Sequence, residues 1–319
     1  MFRSWKWTDG CGHTGSACGE RDMTLPARLG VLVLPEHTGP DGVQVWKRVE
    51  RLGAHHAWTY DHLSWRSLTG RPWFDAMTTL AAAASVTERI GLGTLVSSPN
   101  FRNPVTTAIQ AMTIDHISGG RFVLGIGSGA AGPDVTALGG PMLSPEERAD
   151  RFAEFVTLTD QVLRHGKAEF RGRYFTARET SVTPGCVQRP RMPFAIAGTG
   201  RRGMRLAAEF GEIWVTIGAA EHPGVQPEAD AFRTLRSQLG RLAAACEEVG
   251  RDPADLRKLV NLSRIVADPY SSVDRLGDLV GRCACLGFTD VVVAYPRSEG
   301  VFAGDAAMFE EAMSAHANG

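Results

Sequence analysis

The stretch "RFVLGIGSGAAG", from Arg121 to Gly132, decides between two folds for this chain. It reads as a short buried strand that runs into a Gly-x-Gly-x-x-Gly loop, the fingerprint of an open, dinucleotide-binding sheet. A second match, "GTGRRG" at Gly198–Gly203, also follows a strand. The fingerprint requires a helix directly after the glycines and an acidic residue at the end of the next strand.

Neither glycine loop meets both requirements. The first continues into "PDVTALGGPMLSP", which does not read as a helix, and the strand after the second, "IWVTIG" from Ile213, ends without an acid. In a barrel the same loops would lie at the carboxyl ends of the strands, which is the face where barrel enzymes hold their ligands. The sequence therefore favours a barrel over an open dinucleotide-binding sheet.

Short apolar runs alternate with amphipathic helical patterns along the rest of the chain. Continuous apolar runs suit parallel strands that are covered on both faces. Eight candidate strands begin at Leu29, His56, Ile90, Arg121, Pro193, Ile213, Leu259 and Thr289. The clearest helix start has Ser144 as N-cap, Pro145 at N1 and Glu147 at N3. Eight strand–helix units without a break predict a (β/α)8 TIM barrel of the α/β class.

Two segments depart from this alternation. Residues 167–188, "KAEFRGRYFTARETSVTPGCVQ", predict a hairpin and loop inserted between units four and five. The first 22 residues are polar and Gly-rich and lack the apolar core of a secretory signal. We expect residues 1–22 to be a disordered arm or an over-extended start, and residues 23–319 to form a single barrel domain.

The composition argues against several classes of function. A net charge of −1 gives no basic field that would attract nucleic acid or an anionic membrane. The longest apolar runs are too short to span a bilayer. The six cysteines show no zinc-ligand spacing, so we expect plain thiols in a cytoplasmic protein.

Two ionisable residues follow the second strand, in "HHAWTYDHLSW" from His55 to Trp65. Asp61 and His62 stand where that strand should end, at the ligand face of a barrel. An imidazole can give or take a proton near neutral pH, so His62 is a candidate acid–base group; the alternative is a turn residue bonded to backbone. Because side chains alternate along a strand, we expect Asp61 to anchor polar groups or the loop itself while His62 faces the reacting atom.

The loop after the fifth strand suits an anion. "AGTGRRG", from Ala197 to Gly203, places free backbone N–H groups at a helix start. Arg201 or Arg202 would add a charge-assisted contact to a phosphate. The alternative is that these glycines only form tight turns.

Five stretches, taken in order, resemble the bacterial luciferase-like flavin-dependent oxidoreductases, and within them the branch that uses the deazaflavin coenzyme F420. They are "AWTYDHLSW", "ERIGLGTLVSSPNFRNP", "MTIDHISGGRFVLGIGSG", "FAIAGTGRRGMRLAAEFGEIW" and "GFTDVVVAYPR". The resemblance extends from about Leu29 to the end of the chain. It implies an eight-stranded barrel with an insertion, and a flavin or deazaflavin in the mouth of that barrel.

The resemblance also implies roles for individual residues. The implied catalytic residues are His62 and Asp61, which would lie beside the cofactor ring, and Trp65, which would match a tryptophan of the F420 enzymes with a one-residue difference in loop length. A non-proline cis peptide, or a bulge, would fall at Leu95–Val96. The implied cofactor-binding residues are Asp61, Leu95, Val96, Gly127, Ser128, Gly129, Ala197, Gly198, Thr199, Gly200 and Arg201.

The expected activity is hydride transfer between F420 and a small organic substrate. Two alternatives are an FMN-dependent monooxygenase that uses oxygen, and a flavin-binding barrel without catalysis. The sugar-phosphate dehydrogenases of this family carry a glutamate where this chain has Ala130, so we do not expect such sugars as substrates. We expect a cytoplasmic homodimer that works with a separate flavin or F420 reductase where one is needed.

Overall fold

Eight parallel strands close into one barrel in the computed structural model, which describes residues 27–219 and 227–317. The predicted arm at residues 1–22 lies outside the described residues. The described strands, in chain order, are β1 Arg28–Leu32, β2 His56–Thr59, β3 Gly91–Thr94, β4 Phe122–Gly127, β5 Phe170–Arg171, β6 Thr176–Ala177, β7 Phe194–Ala197, β8 Ile213–Thr216, β9 Arg257–Asn261 and β10 Asp290–Ala294.

Helices connect the barrel strands. The described α-helices are α1 Gly39–Arg51, α2 Ala76–Val86, α3 Pro104–Ile117, α4 Pro133–Thr136, α5 Pro145–His165, α6 Arg201–Phe210, α7 Glu228–Glu248, α8 Val273–Leu286 and α9 Ala306–Ala317. The barrel order is β1-β10-β9-β8-β7-β4-β3-β2, with every neighbouring pair parallel. This topology confirms the predicted TIM barrel and excludes the alternative fold, an open dinucleotide-binding sheet.

The segment between β4 and β7 contains the predicted insertion. The antiparallel strands β5 and β6 form a hairpin within residues 167–188, as the sequence predicts. Before it lies α5, whose capping box forms as expected, with the Ser144 hydroxyl accepting from the Glu147 N–H at 3.2 Å. Gly166 ends α5 at a φ of +66°, a left-handed conformation that glycine adopts without cost.

Two predictions about secondary structure are wrong. The strand expected from Leu259 through residue 267 begins at Arg257 and ends at Asn261, and a 3₁₀ turn, Leu262–Arg264, follows it. The Ser263 hydroxyl accepts the Ala294 N–H of β10 at 2.8 Å, a side-chain bond in place of a ladder bond. The segment after Gly132 was expected to contain no helix, yet the one-turn helix α4 forms there.

The barrel interior is filled by large side chains that face glycines. Trp58 of β2 is fully buried, and a Cβ atom added at Gly93 of β3 would lie 2.5 Å from its ring. Only glycine at position 93 leaves room for this indole. Helices outside the barrel cover the other face of each strand with a second, larger apolar cluster.

A group of charged side chains lies at the amino-terminal end of the barrel. Asp290 is fully buried and accepts hydrogen bonds from Arg257, at 2.6 Å, and from Thr289. The Trp58 indole donates to Nδ1 of His56 at 2.7 Å, so the His56 proton is on Nε2, which donates to Asp290 at 3.1 Å. Each buried polar atom of this group is therefore paired, as stability requires.

None of the helices among the described residues is both long and apolar enough to cross a lipid bilayer.

Candidate active site

The carboxyl ends of the strands bring His62 and Asp134 together. Nδ1 of His62 lies 2.5 Å from Oδ2 of Asp134, and Oδ1 of Asp134 accepts the Leu63 N–H at 2.8 Å. An ionised carboxylate only accepts, so Nδ1 of His62 carries the proton and Nε2 is left as the second functional atom of the ring. No described residue forms a hydrogen bond to Nε2, and the His62 side chain is 31% exposed. His62 is thus oriented by Asp134 and accessible.

Asp134 is a functional residue that the sequence analysis missed. It lies in α4, the helix that was not expected, and is buried. A signal for that helix was present, since Pro133 at N1 followed by an acidic residue favours a helix start. The pairing with His62 could not be read from the sequence, because 72 positions separate the two residues.

Asp61 leaves β2 in a different direction from His62, as expected. Its carboxylate is buried, accepts from the Ser97 hydroxyl at 2.6 Å and is bound by two nitrogens of Arg102, at 2.6 and 3.0 Å. Burial alone would lower the pKa of Arg102, but Asp61 and Asp75 outweigh it and raise that pKa above its ordinary value. Asp61 was expected to anchor either polar groups or the loop after β2. These contacts support the second role, the anchoring of the loop. A direct catalytic role for Asp61 stays a prediction; both of its carboxylate oxygens are bound by protein groups.

A non-proline cis peptide joins Leu95 to Val96, at the place that the resemblance implies. After it, Ser97 pairs with β4, donating to the Gly125 carbonyl at 2.8 Å and accepting from the Gly127 N–H at 2.9 Å. Leu95 and Val96 therefore lie at the start of the mouth, beside the end of β4.

Glycines pack closely against other residues in this part of the mouth. A Cβ atom at Gly127 would lie 2.6 Å from Val96, and one at Gly129, whose φ is +72°, would lie 2.6 Å from the Asn100 amide. Asn100 in turn donates to the Ala130 carbonyl at 2.8 Å. A side chain at either glycine would therefore displace Val96 or Asn100.

The loop from Ala197 to Gly200 ends at the amino terminus of α6. Gly198 and Gly203 touch through their backbones, and the Trp214 indole donates to the Gly198 carbonyl at 2.7 Å, which fixes the loop. Gly200 is the N-cap of α6, no side chain caps this end, and a Cβ atom there would meet nothing within 4 Å. Among the described residues, the first N–H groups of α6 therefore have no side-chain cap, and they carry the positive end of the helix dipole.

The two arginines of this loop bind neighbouring helices. Arg201 pairs with Glu248 of α7 at 3.2 Å, and Arg202 pairs with Asp150 of α5. Arg201 is 82% exposed, so its pair adds little stability and leaves the side chain free to move to an anion. Thr199, like Ser128 after β4, is half-buried on the same rim.

Trp65 lies in a buried aromatic cluster in the mouth. Its ring stacks with Phe302 at a centroid distance of 5.9 Å and with Trp73 at 6.4 Å, and it contacts Tyr60 at 5.1 Å. Trp65 is 6% exposed. Leu95 and Val96 pack in the same apolar cluster, so this aromatic wall adjoins the end of β4 that carries the glycines.

The site geometry and the fold agree with one known family. The sequence profile of that family, described as luciferase-like monooxygenase, matches residues 22–284. The chain belongs to the luciferase-like monooxygenase family. The resemblance found in the sequence is therefore confirmed, and with it the expectation that the chain is an oxidoreductase.

Relatives within the luciferase-like monooxygenase family include both dehydrogenases and monooxygenases. An F420-dependent hydroxymycolic acid dehydrogenase of Mycobacterium tuberculosis is 28% identical over 279 residues, which cover 85% of this chain and 73% of the relative. A 4-hydroxyprotoasukamycin monooxygenase of Streptomyces nodosus subsp. asukaensis is 30% identical over 270 residues, covering 79% and 67%.

Solved structures share the fold of this chain. The coenzyme F420-dependent tetrahydromethanopterin reductase of Methanopyrus kandleri superposes with a TM-score of 0.72 at 18% identity, covering 92% of this chain and 98% of that one. At this identity the likeness concerns the barrel and not the substrate.

Proposed function

We propose that this protein binds coenzyme F420 in the barrel mouth and catalyses hydride transfer between it and a small organic substrate. The observation that carries the proposal is the His62–Asp134 pair, an oriented imidazole at the same end of the barrel as the closely packed glycines after β4 and the start of α6. When bound, the deazaflavin supplies the site that takes up or gives the hydride. The F420-dependent relatives support this choice of cofactor.

The residues of the glycine side suit such a cofactor. The planar ring of the cofactor would lie against Gly127, Gly129, Leu95 and Val96. Neither glycine could carry a side chain without a clash. The N–H groups at the start of α6, with Gly200 and Arg201, suit a phosphate. Ser128 and the backbone of Ala197–Thr199 complete this proposed cofactor side.

The proton chemistry falls to His62. As a substrate alcohol loses its hydride, Nε2 of His62 accepts the hydroxyl proton, and in the reverse direction it returns that proton to the carbonyl oxygen. Asp134 keeps the ring oriented and stabilises the imidazolium, in the way that a carboxylate supports histidine in other acid–base sites. Trp65 and its aromatic neighbours exclude water from the substrate side.

The second candidate is an FMN-dependent monooxygenase that receives reduced flavin from a separate reductase. The monooxygenase relative, at 30% identity, supports this second candidate. The glycines after β4 and the phosphate loop would serve FMN equally well, because both cofactors have a planar ring system and a phosphate.

Titration of the purified protein with F420 and with FMN, followed by absorbance and fluorescence, tests the proposal. We expect saturable binding of F420 and, with an alcohol panel, reduction of F420. Tight binding of FMN together with oxygen uptake in the presence of reduced FMN would instead establish the monooxygenase. Binding without turnover by either route would leave a non-catalytic flavin-binding barrel, and binding of neither cofactor by folded protein would refute both enzymes.

The same panel tests the expectation from Ala130. Glucose 6-phosphate should not reduce F420, since alanine at this position supplies no acid. Turnover of that sugar at a rate similar to the best alcohol would contradict this expectation. The homodimer and the cytoplasmic location expected from the sequence are part of the same proposal, and light scattering of the purified protein tests the first of them.

A further inference from the structure

Arg264 is a buried arginine for which the described residues supply no carboxylate. It ends the 3₁₀ turn after β9, at the mouth of the barrel, and is 9% exposed. Its guanidinium carbon lies 5.6 Å from the centroid of the Trp65 ring. None of the ion pairs among residues 27–219 and 227–317 includes it, whereas the buried Arg102 and Arg191 are each paired with aspartate. A buried cation without a counter-charge is costly unless a ligand supplies one.

Two buried polar groups lie close to Arg264. Nδ2 of Asn261 is 3.3 Å from the Tyr60 hydroxyl, and Oδ1 of Asn261 is buried with no hydrogen-bond partner among the described residues. With the amide turned over, Oδ1 accepts from Tyr60 and Nδ2 becomes the unpartnered donor. Burial raises the pKa of Tyr60 to about 12, so its hydroxyl stays protonated and can donate to Oδ1. Tyr60 and Arg264 both lie against the Trp65 ring, at 5.1 and 5.6 Å from its centroid.

These three residues border the proposed cofactor surface. Tyr60 follows β2 and Asn261 ends β9, while only β3 separates β2 from β4 and only β8 separates β9 from β7. The apolar wall beside them includes Phe302, whose φ of +59° is rare for an aromatic residue. Arg297 fixes the loop that holds Phe302, because its guanidinium binds Glu36 with two hydrogen bonds, at 2.7 and 2.9 Å. The backbone is thus held so that this ring packs on Trp65 and Tyr60.

We propose that Arg264, with Tyr60 and Asn261, binds the carboxylate of an organic acid whose apolar body packs on Trp65 and Phe302. A guanidinium binds a carboxylate through two parallel hydrogen bonds, and the Asn261 amide, held in place by the Tyr60 hydroxyl, supplies a further donor. The aromatic wall suits an apolar body in the manner of most small-molecule sites. This assignment rests on the proposed function, for which it names the substrate class.

Binding of benzoate to the protein without added cofactor tests the proposal. Benzoate carries the carboxylate and an apolar ring, and benzamide has nearly the same shape without the charge. We expect benzoate to change the tryptophan fluorescence and raise the Tm in a saturable way, and benzamide to bind at least tenfold more weakly. Arg264→Met should weaken benzoate at least tenfold, and Arg264→Lys should restore only part of the affinity, because an ammonium lacks the two parallel donors.

Arg66→Met is the matched control. Arg66 lies over the same Trp65 ring at 5.7 Å but is exposed, so its loss removes only a solvent-screened charge and should weaken benzoate by less than threefold, against at least tenfold for Arg264→Met. If Arg264→Met does not fold, Arg264→Gln, which keeps hydrogen-bonding groups without charge, is measured in its place.

Three results would overturn the assignment. They are equal binding of benzoate and benzamide, unchanged benzoate affinity in the Arg264 variants, and a loss of F420 or FMN affinity in those variants while benzoate binding persists. The last would assign Arg264 to an anionic group of the cofactor. Because benzoate binding is measured without cofactor or turnover, a failure of the proposed hydride transfer does not alter this result, and the reverse also holds.

Discussion

At the scale of single residues, His62 depends on Asp134 for its orientation. His62→Ala removes the group proposed to move the substrate proton, so we expect kcat to fall by about 10²–10⁴, the usual range for a general acid–base residue. Cofactor affinity should stay within a few-fold, because the glycines after β4 and the α6 start remain. The measurement is turnover of the best alcohol with F420, together with a cofactor titration. A variant with full turnover would show that His62 is only a turn residue.

Asp134→Asn separates orientation from proton transfer. The amide keeps the size of the aspartate but removes the charge that stabilises the imidazolium, so kcat should fall less than in His62→Ala. A purely structural role for Asp134 would lower the stability of the variant and leave kcat of the folded protein unchanged. Asp75→Asn, at a carboxylate that also contacts the mouth through Arg102, serves as control.

At the scale of elements, the sequence predicts what is local and misses what depends on distant contacts. Each barrel strand is an apolar run bounded by glycine or a helix cap, and all eight are found. The end of β9 is set by Ser263, whose hydroxyl binds β10 across 31 positions of the chain. The Arg102–Asp61 bond likewise joins two loops 41 positions apart. The direction of Asp61 and His62 was predictable from strand alternation, but their partners were not.

The start of α6 offers a test of the proposed phosphate loop. Gly200→Asp places a negative charge at the N-cap, and no atom lies within 4 Å of the added Cβ. Cofactor affinity should fall at least tenfold, about 1.4 kcal/mol, because the carboxylate repels a phosphate. Stability should hold or rise by a few tenths of a kcal/mol, since aspartate is a better N-cap than glycine. Gly200→Asn provides the same cap without charge and should keep most of the affinity. Unchanged affinity in Gly200→Asp would remove this loop from the cofactor site.

At the scale of the whole molecule, the two ends of the barrel differ in their use of charge. At the carboxyl end, His62 Nε2 and the Arg264 guanidinium have no hydrogen-bond partner among the described residues, and no described side chain caps α6. At the amino end, His56 and Arg257 both bind Asp290. In barrel enzymes the first end carries the chemistry and the second the stability. Substitutions at the amino end should therefore change folding more than substrate binding.

Acid unfolding should report on that amino end. Burial alone would raise the pKa of Asp290, but hydrogen bonds from His56 and Arg257 outweigh it and hold the pKa well below the ordinary 3.8. Burial also lowers the pKa of His56 below 6.5. For both groups the unfolded chain binds more protons, so the stability they contribute is present above pH 6.5 and is lost as the pH falls, first through His56 and then, below pH 3.8, through Asp290.

Asp290→Asn should lower the free energy of unfolding at neutral pH by about 3 kcal/mol, near the lower end for breaking a buried pair, because Arg257 and Arg28 still reach solvent. The loss of stability below pH 3.8 should become shallower in this variant, since one of the titrating groups is gone. Urea unfolding at a series of pH values measures both effects. Asp305→Asn, at the exposed start of α9, is the control and should leave the pH dependence unchanged. Identical acid limbs in Asp290→Asn and the wild type would show that another group controls unfolding in acid.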